Sequence, residues 1–257
     1  MEENVITSLQ NARVKRLVQL QQKSSERRRS GLFVVEGQRE LMHCVEAGYQ
    51  VEDVFYCPEL CSAPSVGNAY AVTSAVYEKI AYRGSTEGLV ATVHERTLTL
   101  DGLQLSEQPL IMVLERVEKP GNLGAVLRSA DAAHADAVIV CDPLTDLYNP
   151  NLIRASLGAV FSVPVVACNS EDCIDFLKQR NIQILTAQLQ DSSLYYDTDM
   201  RRATALVMGT ESTGLTDVWR QAADAHIRIP MLGRMDSLNV SVSAAILLFE
   251  AVRQRTK

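Results

Sequence analysis

The sequence predicts two successive α/β domains, a small α/β/α one and a larger one built on a mostly parallel sheet. Three observations carry this. Short apolar runs alternate with segments of helical periodicity along the chain. In the second half these runs, such as Leu110–Leu114, Ala137–Val140 and Thr204–Met208, are apolar on both faces, as strands covered by helices on both sides must be. Between the halves, residues 95–108 hold Asp101, Gly102 and Ser106, with Pro109 just beyond, and no long periodic pattern crosses them. The expected division is 1–96, a linker at 97–108, and 109–257.

The elements follow in order. Leu9, Val14, Leu17, Val18 and Leu20 recur at helical spacing and predict a helix over 7–24. Gly31 ends that region, and Leu32–Val35 reads as a strand. Gly37 turns the chain into a helix with Leu41, Met42 and Val45 on one face and Gly48 past its end. Strands are expected at Val51–Tyr56, Ala69–Val72 and Val90–Val93, with a helix at Ser74–Ile80. In the second half, strands are expected at Leu110–Leu114, Ala137–Val140, Val163–Val166, Ile182–Ala187 and Thr204–Met208. Helices are expected at Leu123–Ala133, Cys173–Gln179 and Val240–Gln254. The last of these carries more apolar residues than one face requires, which predicts packing on two sides.

Composition narrows the function classes. Of 257 residues, 47% are hydrophobic and 22% charged, as in an ordinary globular protein. No apolar run nears the roughly 18 residues of a spanning helix, and the opening Met1-Glu2-Glu3-Asn4 is no secretory signal, so a cytoplasmic protein is expected. Cys44, Cys57, Cys61, Cys141, Cys168 and Cys173 contain no C-x-x-C, and the four histidines are unpaired. Reduced thiols and no metal are expected. The formal net charge is -6. Against it stands one basic cluster, Arg13, Lys15, Arg16, Lys23, Arg27, Arg28 and Arg29, a candidate phosphate-binding surface or a solvated helix face. Aromatic residues make up only 5%, so little base stacking is expected.

Three segments carry candidate chemistry. The first is Glu118-Lys119-Pro120-Gly121-Asn122-Leu123-Gly124, leading to Arg128-Ser129-Ala130. It follows an apolar strand and opens a helix, whose N-terminus suits an anion. Arg128, further along, offers a planar fork to a phosphate or hydroxyl. Read alone, the turn serves equally as a cap formed by Asn122. The second is Met208-Gly209-Thr210-Glu211-Ser212-Thr213-Gly214-Leu215, a glycine-rich turn at the carboxyl end of a strand, where open α/β sheets bind ligands. Glu211 there can cap the next helix, bind a cation or act in catalysis. The third runs from Ile229-Pro230-Met231 through Gly233 to Ser237-Leu238-Asn239-Val240, an irregular polar loop docked on a long apolar helix. Neither a dinucleotide nor a P-loop fingerprint is present.

Taken in order and spacing, N-x-G-x-x-x-R-S-A, G-x-E-x-x-G-L and I-P-M-x-G-x-x-x-S-L-N-V-S-V resemble the three motifs of SpoU/TrmH RNA methyltransferases. The resemblance spans about residues 110–254. Phe33-Val34-Val35-Glu36-Gly37 is similar to the substrate-binding domain that often precedes that catalytic domain. The resemblance implies a fold whose C-terminal segment threads a trefoil knot, a homodimer with active sites at the subunit interface, and methyl transfer from S-adenosylmethionine to a ribose 2′-hydroxyl of ribosomal or transfer RNA without a metal. It implies that Gly209, Ile229 and Leu238 hold the donor. It places Arg128 at the nucleophilic hydroxyl, and Asn122, Glu211, Ser237 and Asn239 around the site. Two alternatives stay open: a non-catalytic RNA-binding protein that keeps the fold, and an α/β enzyme acting on a small nucleotide.

Overall fold

The computed structural model describes residues 5–82, 87–210 and 213–256. The chain forms two compact units. One runs to Arg96 and takes in Asp146–Ser162; the other comprises Thr97–Thr145 and Val163–Lys257.

In the first unit, α1 (Ala12–Gln22), α2 (Ser24–Ser30), α3 (Gln38–Glu46) and α4 (Ser74–Ile80) accompany a mixed sheet of β1 (Leu32–Glu36), β2 (Val51–Tyr56), β3 (Asn68–Ala71) and β4 (Leu89–His94). The strand order is β1-β4-β2-β3. β4 runs antiparallel to β1 and β2, and β3 runs parallel to β2. Val14, Leu17 and Leu20 of α1 join Leu32, Val34, Phe55, Val76 and Ile80 in one core. Each such side chain, buried from full exposure, contributes about 1.5–3 kcal/mol.

Two details depart from the sequence reading. The first helix starts only at Ala12, where the Asn11 side chain accepts from the Arg13 N–H, and it breaks at Lys23, which is extended. Leu9 lies outside it and exposed. The polar run Ser24–Ser30 carries no apolar stripe, so α2 left no periodic signal; Gly31, left-handed at φ 64°, ends it. On α3, Leu41 and Cys44 face inward, while Met42 and Val45 are exposed.

The basic cluster is also thinner than its composition suggests. Arg27 is 3% exposed; its guanidinium donates to Asp146 at 2.7 Å and to the Leu20 carbonyl at 2.5 Å. It is therefore a core tie and no phosphate contact. Arg29 pairs with Glu26, Arg16 with Glu52 at 3.5 Å, and Arg13 lies 4.7 Å over the Tyr70 ring. Lys15, Lys23 and Arg28 remain exposed, with no ion pair to any described residue.

The second unit opens with β5 (Leu110–Glu115), α5 (Pro120–Ala132) and β6 (Ala137–Cys141). The chain then joins the first unit as two short helices the sequence did not announce, α6 (Pro150–Ser156) and α7 (Ala159–Ser162), and returns as β7 (Val165–Cys168). α8 (Ser170–Gln179), β8 (Gln183–Ala187), β9 (Ser193–Leu194), β10 (Thr204–Met208), α9 (Asp217–Ala222), β11 (Ala225–Arg228) and α10 (Val240–Arg255) complete it. The sheet has order β7-β6-β5-β10-β8-β11-β9, and every pairing is parallel. All residues of β5, β6 and β10 are buried, as the two-faced apolar runs predicted. Leu98, Leu100 and Leu105, from the segment expected as a linker, pack against this unit's core.

Candidate functional site

The site lies at the carboxyl ends of the central strands, where an open parallel sheet leaves a crevice. A cavity of about 350 Å³ opens there. The residues at the ends of β8, β10 and β11 wall it: Gln188 and Leu189, then Met208 to Thr210, then Arg228, Ile229 and Met231. Ser237, Leu238 and Val240 close it from the loop that leads into α10. All three residues expected at the donor, Gly209, Ile229 and Leu238, line this one cavity, and so does Ser237.

Local geometry explains the glycines. At Gly209 an added Cβ would lie 2.2 Å from the Gly214 carbonyl carbon and 2.5 Å from the Leu215 nitrogen, so no side chain fits. Gly214 is left-handed at φ 68°. Its N–H donates to the Thr210 carbonyl at 3.0 Å, and the Thr213 N–H donates to Thr210 Oγ1 at 3.1 Å, folding the turn back on itself. Glu211, expected in the site, lies outside the described residues.

A buried carboxylate that the motif reading passed over anchors this turn from below. Glu115, the last residue of β5, is 2% exposed and accepts from the Thr216 N–H at 2.9 Å and from Thr216 Oγ1 at 2.6 Å. Its sequence signal was slight: an acidic residue closing an otherwise apolar strand has to find a partner.

A smaller cavity of about 140 Å³ shares Met208, Gly209, Thr210 and Val240 with the first and extends to Glu115, Glu118, Lys119 and Asn122. Asn122 is not the cap of α5. Lys119 holds the cap position and Pro120 the first turn, where its missing N–H costs nothing. Asn122 Oδ1 instead accepts from Asn239 Nδ2 at 3.2 Å, which joins the first and third motifs. Asn239 in turn caps α10, accepting from the Ser241 N–H at 3.0 Å. Ser237 is exposed and donates to Asp236 at 3.3 Å.

Arg128 is placed apart. It lies on the exposed face of α5, lines neither cavity, and makes no ion pair with a described residue. The surface pairing that would have given it a purely structural role is therefore missing among the described residues. α5 packs beside α10, whose Val242 and Phe249 are 48% and 47% exposed.

Comparison with known proteins adds to this geometry. Residues 109–249 match the model of the SpoU rRNA Methylase family, and residues 11–91 match an MRM3-like substrate binding domain. The chain is 31% identical to a 23S rRNA (uridine(2479)-2'-O)-methyltransferase of Streptomyces viridochromogenes, over 97% of this chain and 92% of that protein. It is 27% identical to the 23S rRNA (guanosine(2553)-2'-O)-methyltransferase RlmP of Bacillus subtilis, over 95% and 97%. Among solved structures, an RNA 2'-O ribose methyltransferase superposes with a TM-score of 0.85 at 38% identity, covering 98% of this chain and 99% of that one. The SpoU methyltransferase AviRb from Streptomyces viridochromogenes, in complex with AdoMet, superposes at 0.89 with 30% identity, covering 96% and 99%.

Proposed function

Because the chain belongs to the SpoU rRNA methylase family, we propose that it transfers the methyl group of S-adenosylmethionine to a ribose 2′-hydroxyl of ribosomal RNA. One observation carries the placement of the donor: Gly209, Ile229 and Leu238, from three separate loops, meet in a single cavity at the carboxyl ends of the strands. The residues present fit that molecule. The cavity falls within the size range of small-molecule sites. Leu189, Ile229 and Leu238 suit an adenine ring, while Gln188, Arg228 and backbone groups suit the charged amino-acid end.

Once bound, the sulfonium supplies a methyl carbon that is already electrophilic, so no metal is needed at this cavity. The chain's own residues have to place a ribose oxygen in line, about 3–3.5 Å from that carbon, and assist loss of its proton. The Asn122–Asn239 bond holds the first and third motifs together at the mouth of the smaller cavity. Ser237, Asn239, Asn122 and Glu211 shape the nucleotide's position. Arg128, with its planar cationic fork, orients the ribose and its phosphate and stabilises the oxyanion. Its position outside both cavities supports a site completed at a subunit interface.

The same reading assigns residues 1–96 to RNA docking, with Lys15, Lys23 and Arg28 as phosphate contacts, and residues 109–257 to catalysis. It makes the protein a cytoplasmic homodimer that buries the face of α10 carrying the exposed Val242 and Phe249 and the half-buried Ile246, with the C-terminal segment threaded as a trefoil knot. Among the described residues no helix is long and apolar enough to cross a membrane.

Calorimetry with S-adenosylmethionine in the presence of a chelator tests the donor site, and one molecule bound per chain is expected. Single-turnover methylation of ribosomal RNA tests the rest. Arg128→Lys, which keeps the charge and loses the fork, is expected to leave donor affinity unchanged and slow transfer by about 100-fold or more. Wild-type transfer by that variant, or absence of donor binding, would overturn the assignment.

A further inference from the structure

Away from the cleft, three sulfurs meet at the opposite lateral edge of the sheet, where β6 and β7 end. Cys141 closes β6 and Cys168 closes β7. They are register neighbours on parallel strands, so both side chains leave the same face. α8 covers that face, and Cys173 stands in its first turns, packed in the same core. The three Sγ atoms all lie within 4.8 Å of one another. Cys141 and Cys173 are fully buried, and Cys168 is half-buried, leaving an approach from solvent. No other such group of metal-ligating side chains occurs among the described residues. The donor cavity uses none of them, being walled by the ends of β8, β10 and β11.

Three thiols brought together from three elements do more than fill space, because each is a soft ligand once deprotonated. The N-terminal end of the ten-residue α8, with Asn169 as its cap, presents its positive dipole to the group. With metal–sulfur bonds of about 2.3 Å, three thiolates around one ion stand about 4 Å apart, so the observed spacing needs to contract by less than about 1 Å.

We propose that Cys141, Cys168 and Cys173 form a three-sulfur site for a thiophilic metal ion of the zinc and cadmium class, clamping β6, β7 and α8 at one edge of the sheet. Binding exchanges protons for metal: a divalent ion held by three thiolates releases up to three protons to water and leaves one net negative charge, which the α8 dipole offsets. The site is structural and separate from methyl transfer. Its chain spacing matches no zinc motif, which is why it is invisible in the sequence.

The test uses the reduced full-length protein and Cd²⁺ alone. Titration is expected to give one Cd²⁺ per chain, a thiolate-to-cadmium charge-transfer band in the ultraviolet, and a higher unfolding temperature. Cys168→Ser, at the half-buried position where folding is best tolerated, is expected to weaken Cd²⁺ binding at least tenfold and to reduce the band. Cys61→Ser, outside the group, is expected to keep both. Donor binding measured on the same samples is expected to be unchanged, which separates failure here from failure at the cleft. No stoichiometric Cd²⁺, or equal binding by Cys168→Ser and the parent, would overturn the proposal.

Discussion

Glu115 ties the end of β5 to the turn that follows β10, and cutting that tie should be felt both in stability and at the donor cavity. Its carboxylate is buried and accepts two bonds from Thr216, one from the backbone N–H and one from the hydroxyl. Hydrogen bonds to a charged group are worth about 1.5–3 kcal/mol each. Glu115→Ala loses both, strands a buried N–H and opens a void, so a loss of about 3–5 kcal/mol is expected. Glu115→Gln is milder. Its carbonyl can accept from the Thr216 N–H while its amide donates to the hydroxyl. Both bonds survive as neutral ones of about half the strength, a loss of about 1–2 kcal/mol. Thr216 follows the Gly209–Leu215 turn directly, so releasing it frees the turn that walls the cavity. Donor affinity is therefore expected to fall at least tenfold in the alanine variant, equivalent to about 1.4 kcal/mol, and less in the glutamine one. Urea unfolding gives the first quantity, calorimetry the second, and hydrogen exchange at the Thr216 amide reports the tie itself. An alanine variant within about 1 kcal/mol of the parent, below even one lost charged bond, or one with unchanged donor affinity, would refute the reasoning.

The other tests separate structural charges from functional ones. Arg27→Ala strands Asp146 beside a buried gap and is expected to cost about 3–5 kcal/mol, measured by urea unfolding. By contrast, Lys15→Ala and Arg28→Ala are expected to leave stability unchanged and each to flatten the salt dependence of RNA binding by about one unit of slope. Phe249→Glu puts a charge on the exposed face of α10; light scattering is expected to show a dimer in the parent and a monomer in the variant. Burial, with the Asp146 charge added, raises the Glu95 pKa. Between the ordinary carboxylate range and that raised value, the folded chain holds a proton the unfolded chain has lost, so stability falls as pH rises through the window. Glu95→Gln removes that fall, and the parent's urea midpoint is expected to drop more than the variant's between about pH 4 and pH 7.

Much of this molecule was legible in the chain because its signals are local. Two-faced apolar runs at Leu110–Leu114, Ala137–Val140 and Thr204–Met208 could only be buried parallel strands, and they became β5, β6 and β10. The first motif read correctly as a turn opening a helix, the second as a turn at a strand end and the third as an irregular loop ahead of a long helix, since glycine and proline impose turns whatever surrounds them. Other features depended on distant partners. Short amphipathic pieces such as α6, α7 and α9 carry too few residues for a period to show. Seven basic residues near the N-terminus looked alike in sequence. Only the fold showed that Arg27 lies buried against Asp146, a residue 119 positions away, while Lys15 and Arg28 face water. Asn122 read as a cap because capping is its common local role. The tertiary structure gave that position to Lys119 and turned Asn122 toward Asn239. The sulfurs of Cys141, Cys168 and Cys173 likewise meet through strand register and helix packing, and no spacing along the chain records that contact. The chain alone determined which segments turn and which are buried, because sterics and hydrophobic periodicity act over a few residues. Which side chains meet was decided by the sheet order and the helices that cover it, which bring together residues the sequence keeps far apart.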